Sequence, residues 1–177
     1  MKRESNEIKK ENDRAASFMR FCEVVRHLRA EDGCPWDRAQ THTSLKPYCI
    51  EEAAEVIGGI NIWEATGDAE NLKEELGDLM LQILLHAQIA EEEGLFTVRE
   101  VMDGASEKMI RRHPHVFGKS MLSEQGEPVT DWDAIKKQEK AGKEWTEAYL
   151  PGRGGETARA GKRTERHQKI TFEMLQY

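Results

Sequence analysis

The stretch "LMLQILLHAQIA", residues 79–90, is the most apolar run in the chain and predicts the middle of a helix spanning about 69 to 92. Its apolar residues surround the axis on nearly every side, so the pattern predicts a centrally buried helix. Upstream, Phe18, Phe21, Cys22, Val25 and Leu28 recur at helical spacing and predict a helix over 16–30. The segment "EDGCPWDRAQTHTSLKP" loses that period and carries Gly33, Pro35 and Pro47, which predicts a long loop of the kind that often serves function. A second helix is predicted from about Pro47 to Ala65, with Gly67 as its C-terminal cap and Asp68 capping the helix that follows. Gly94 closes that third helix. Thr97 with Glu100 forms a capping box and Phe96 with Val101 a hydrophobic staple, so a fourth helix should begin at Val98 and stop near His113, before Pro114. "TDWDAIKKQEKAGK", residues 130–143, predicts a short fifth helix.

The flanks read differently. Residues 1–13 are nearly all polar and are expected to fray, and 151–177 offer almost nothing to bury and are expected to be disordered. Between them, residues 14–150 read as one all-α domain, a four-helix bundle with short connections and no internal repeat. A chain of 177 residues that is 38% hydrophobic supports one core comfortably and two poorly. The net charge of −7 argues against a protein that coats nucleic acid, which needs a basic face. It leaves a nucleotide ligand open, because metal ions bridge acidic sites to phosphates. Cys22, Cys34 and Cys49 are odd in number and widely spaced, and they are read as reduced thiols of a cytoplasmic protein. No apolar run reaches the ~20 residues of a membrane helix, and no signal-peptide pattern opens the chain.

Two acidic stretches break the helical pattern: "EEAAEV" (51–56) and "EELGD" (74–78). With about 100° per residue, Glu52 and Glu55 lie within about a quarter-turn of Glu51. Glu75 and Asp78 are i, i+3 neighbours on the third helix. A short connection packs the two helices antiparallel, so these carboxylates converge across one groove. Like charges gathered in that way raise one another's pKa, and hard divalent cations with oxygen ligands relieve the conflict. The alternative is a solvated acidic face on two surface helices.

The same residues carry a resemblance. "EEAAEV" with "EELGD" fits an EExxE…ExxD pattern, flanked by "DGCPWDRAQTH" upstream and by "AQIAEEEGLF" and "EKMIRRHPHVFG" downstream. In this order, across about residues 16–150, they resemble the MazG family of nucleoside triphosphate pyrophosphohydrolases. The resemblance implies an all-α metal site, usually in a homodimer, and the Mg²⁺-dependent reaction NTP + H₂O → NMP + pyrophosphate, with Mn²⁺ as a substitute ion. It places the catalytic acids at Glu51, Glu52, Glu55, Glu75 and Asp78, with Glu52, Glu55, Glu75 and Asp78 as metal ligands. It places phosphate-binding cations at Lys108 and Arg112, which read by themselves as a solvated basic stripe.

Trp132 and Lys136 form another i, i+4 pair, read as a substrate contact with plain packing as the alternative. "RHPHVFG" is read as a helix end and not as a histidine metal site. Trp36 and Asp37 either cover a pocket or anchor their loop. His86 is read as a core or interface residue. Gly58 and Gly59 sit mid-helix, where each costs about 1 kcal/mol against Ala. The expected function is hydrolysis of NTPs or dNTPs in nucleotide-pool house-cleaning, without membrane or nucleic-acid partners. A catalytically weak metal- or nucleotide-binding regulator is the alternative. A di-iron bundle ranks below both, because no ExxH occurs.

Overall fold

The structure is a computed structural model that describes residues 2–118, 121–122, 128–129 and 132–151. The tail expected to be disordered therefore lies almost wholly outside the described residues. The chain divides into two compact units at residue 98, and the predicted 14–150 domain spans both.

The first unit contains α1 (Lys2–Leu28), α2 (Pro35–Arg38), α3 (His42–Thr66) and α4 (Glu70–Glu92). Helix α1 starts well before the predicted Ala16. Residues 2–14 hold no Gly or Pro and many Lys, Glu and Arg, which propagate a helix without needing a core. Helix α3 also starts early, at His42 instead of Pro47. Thr41 caps it, accepting from the Ser44 amide at 3.2 Å while the Ser44 hydroxyl accepts from the Thr41 amide at 2.9 Å. Leu45, 1% exposed, pins this first turn to the core, and the helix runs on through Pro47 despite the missing amide donor. At the other end Gly67 takes φ +78° and donates to the Trp63 carbonyl at 2.7 Å. Asp68 accepts from the Glu70 amide at 3.0 Å, but the N-cap of α4 is Ala69, so the predicted Asp68 cap falls one residue outside the capping position.

Helices α3 and α4 form a tight antiparallel hairpin. Gly59 explains how close they come: a Cβ there would lie 2.8 Å from the Leu72 Cα. At Gly58 a Cβ would meet nothing within 4 Å, and the structure gives no reason for that glycine. Val25 of α1, Leu45 of α3 and Leu84, Leu85 and Ile89 of α4 form the core, with Phe18, Phe21, Cys22, Leu81 and Val98 packed around it. Each such aliphatic side chain contributes about 1.5–3 kcal/mol by leaving water. Helix α4 is thus buried on one side only, and Leu76, Met80 and Ile83 are exposed, unlike the all-round burial its sequence predicts.

The second unit contains most of α5 (Val98–Arg112), then α6 (Pro114–Phe117), a two-residue antiparallel pairing of β1 (Met121–Leu122) with β2 (Pro128–Val129), α7 (Trp132–Lys140) and a 3₁₀ turn (Glu144–Tyr149). Helix α5 starts at Val98 and ends before His113, as predicted. The "RHPHVFG" stretch does turn the chain: His113 Nδ1 lies 2.7 Å from the Met109 carbonyl, and Gly118 ends α6 at φ +66°.

Candidate metal centre

Antiparallel pairing of α3 and α4 brings the two acidic stretches together. Glu52, Glu75 and Asp78 each offer a carboxylate oxygen within 4.8 Å of the others. Glu52 and Glu75 are half-buried and Asp78 is exposed, so the cluster opens to solvent on one side. Burial raises the Glu52 pKa, and the charges of Asp78, Glu55 and Glu75, with a hydrogen bond shared with Glu55, push it further up. Glu55 therefore joins the cluster through Glu52, while its own side chain is exposed. Glu51 is exposed on the same helix. Glu75 is fixed by Asn71, whose amide donates to its Oε1 at 2.8 Å.

Gln82 belongs to this site and escaped the sequence reading. It is 6% exposed, and its Nε2 donates to Glu52 Oε1 at a long 3.4 Å. Its Oε1 is a buried atom with no hydrogen-bond partner. The signal was present in the spacing, because Glu75, Asp78 and Gln82 fall at i, i+3 and i+7 on one helix face. The converging carboxylate oxygens of Glu52, Glu75 and Asp78 are a donor set of hard oxygens, which fits a divalent cation such as Mg²⁺. Helix α4 also carries His86, whose Nδ1 lies 2.7 Å from His42 Nδ1 in a stacked pair of rings, with Cys49 Sγ 3.3 Å from its Nε2. Burial and the His42 ring lower the His86 pKa. His86 is thus a packed interhelical residue, as its apolar setting implied. The three cysteines are free.

The cationic candidates lie in the second unit. Lys108 and Arg112 are half-buried on α5, and Lys136 is exposed on α7. Arg112 forks onto Glu139, with Nε to Oε2 at 2.8 Å and Nη2 to Oε2 at 2.6 Å, and Arg111 reaches the other carboxylate oxygen at 3.2 Å. Burial raises the Glu139 pKa, but the hydrogen bonds and charges of Arg112 and Arg111 outweigh it and hold the carboxyl below its usual range. Glu139, also missed in the sequence, thus orients the guanidinium that the resemblance assigns to phosphate. Trp132 begins α7, and its side chain lies outside the described residues.

The MazG nucleotide pyrophosphohydrolase domain matches residues 40–117, which include both acidic stretches. The chain is 47% identical over 133 residues to the Bacillus subtilis protein named "Uncharacterized protein YabN", covering 75% of this chain and 26% of that one. It is 49% identical over 126 residues to the Thermotoga maritima nucleoside triphosphate pyrophosphohydrolase/pyrophosphatase MazG, covering 71% of this chain and 46% of the relative. It is 41% identical over 125 residues to the Escherichia coli nucleoside triphosphate pyrophosphohydrolase, covering 70% and 46%. The chain thus spans half or less of the length of these relatives. No helix among the described residues is long and apolar enough to cross a membrane. With its paired acidic helices inside the matched segment, the chain carries a MazG nucleotide pyrophosphohydrolase domain over residues 40–117.

Proposed function

We propose that the chain hydrolyses nucleoside triphosphates, ribo or deoxyribo, to the monophosphate and pyrophosphate, and that it depends on Mg²⁺, with Mn²⁺ as a substitute. The observation that carries this reading is the meeting of Glu52, Glu75 and Asp78 within a MazG match. These three, with Glu55 beside Glu52, hold the ion. When bound, Mg²⁺ supplies positive charge to the phosphate oxygens, in a groove that would otherwise repel them. Glu51, exposed at the edge of the groove and outside the set that holds the ion, is the group for accepting a proton from the attacking water. Lys108 and the Glu139-oriented Arg112 hold further phosphate oxygens and favour departure of pyrophosphate. Lys136 and Trp132 contact the nucleoside side of the substrate.

The same reading includes a homodimer acting on the cytoplasmic nucleotide pool, with a four-helix arrangement completed by the second copy. Its support is the apolar surface left exposed on the hairpin: Ile57, Ile60 and Trp63 on α3, and Leu76, Met80 and Ile83 on α4. The chemistry is tested by hydrolysis in ¹⁸O-labelled water followed by mass spectrometry. The expected products are NMP and intact pyrophosphate, with label in one of them. Label in orthophosphate, with NDP as co-product, would assign a different bond and overturn the reading.

A further inference from the structure

We propose that Trp36 and Tyr48 form the platform on which the nucleobase of the substrate stacks; this rests on the nucleotide reading above. Trp36 is 56% exposed and Tyr48 37%, in a chain with only 7% aromatic residues. Their ring centroids are 6.4 Å apart and the planes stand at 75°. That arrangement makes an open corner: a flat ring stacks on one aromatic face and meets the other ring edge-on.

The corner is held rigidly. Arg29, 8% exposed, donates to the carbonyls of Asp37 at 2.6 Å and Gln40 at 3.2 Å. Its guanidinium is in turn fixed by Glu92 at the end of α4, with Nη2 to Oε2 at 2.7 Å and Nε to Oε1 at 3.0 Å. Gln40 Nε2 donates to the Trp36 carbonyl at 3.0 Å, and the Cys34 amide donates to the Leu28 carbonyl at 2.8 Å. An indole on a slack loop would fold down onto apolar surface. This one is kept in water by a backbone clamped on both sides, which is the condition for binding without an ordering cost.

The location ties the corner to the acids. Tyr48 and Glu52 are i, i+4 on α3, so they share a face and stand about 6 Å apart along the axis. Phosphates held at Glu52, Glu75 and Asp78 leave the ribose to span that one turn and bring the base to the aromatics. Every base has a π-face, so a stacking corner predicts broad tolerance of base identity. A base has two faces, and this platform takes one of them.

The test uses calorimetry on the full chain with Mg²⁺ present. The probes are the α,β-methylene analogue of ATP, which the proposed reaction cannot cleave, and inorganic tripolyphosphate, which has no base. Trp36→Ala should weaken the analogue about tenfold and leave tripolyphosphate unchanged, and Trp36→Phe should recover most of the loss. Circular dichroism checks that the variants are folded. Equal weakening of both probes, or of neither, overturns the platform. So does a change of oligomeric state in Trp36→Ala without a selective loss of the analogue, because the indole would then be covering a second copy. A parent chain that binds the analogue through Trp36 but releases no pyrophosphate from ATP removes the hydrolase reading and leaves the platform standing. A working hydrolase whose Trp36→Ala form binds the analogue undiminished removes the platform alone.

Discussion

Glu52 is the residue on which burial and like charge act together. Its raised pKa means that the folded, metal-free protein holds this proton at pH values where the unfolded chain has lost it. Glu52 therefore contributes stability that is fully present below the ordinary carboxyl value and is lost as pH rises through the raised one. Near pH 7 without divalent ions, Glu52→Gln should melt above the parent, and the gap should close towards pH 4. With Mg²⁺, the same variant should lose about 10²-fold or more in turnover. Scanning calorimetry in a chelator, beside a pyrophosphate-release assay, checks both; a variant that melts lower at every pH would contradict the crowding account. His86 shifts in the opposite direction. Its lowered pKa means the unfolded chain takes up a proton first as pH falls below about 6.5. The contribution of His86 is fully present above that value and is lost as the solution is acidified. Between pH 7.5 and 5.5 the parent should lose more melting temperature than His86→Gln, in which Glu52 and every other group still titrate. Parallel losses in the two proteins would show that the stacked pair carries no such penalty.

The α3–α4 hairpin sets the geometry on which these residues depend. Adjacent glycines in α3 offer a test with opposite signs. Gly59→Ala puts a methyl 2.8 Å from the Leu72 Cα, so the helices must separate, at a cost of about 1–3 kcal/mol that exceeds the helix-propensity gain. Gly58→Ala meets nothing and should stabilise by about 0.5–1 kcal/mol. Because Gly59 lies two turns beyond Glu52, separation there should also spread the acids and raise the Mg²⁺ needed for half-maximal rate. Urea titrations of the two variants measure the stability terms. A loss at Gly58 in place of a gain would show another helix packed against that position.

For the whole molecule, the exposed apolar residues of α3 and α4 set the next prediction. Static light scattering at micromolar concentration should return twice the 20.3 kDa chain mass. Charging the stripe with Ile83→Glu, on the exposed side of α4, should shift the mass towards the monomer. A parent that scatters as a monomer would contradict the dimer. How much of this protein could be read from the sequence depends on how local the governing forces are. The helical class, the cap at Gly67, the start of α5 and its end before Pro114 follow from periodicity and cap chemistry within a few residues, and the sequence alone determined them. So did the acidic pattern, because i, i+3 and i+4 spacings define a helix face before any packing occurs. The early start of α3 was not legible, because the Thr41–Ser44 cap and the burial of Leu45 outweigh Pro47, and burial is a tertiary quantity. Only the hairpin crossing decided which acids meet, turned Gly59 into a contact point, and orphaned the Gln82 oxygen beside Glu52. The clamp of Arg29 on Glu92 and on the Trp36 loop joins residues far apart in the chain. No local pattern encodes such a pairing, because its energy exists only once the helices have brought the charges together.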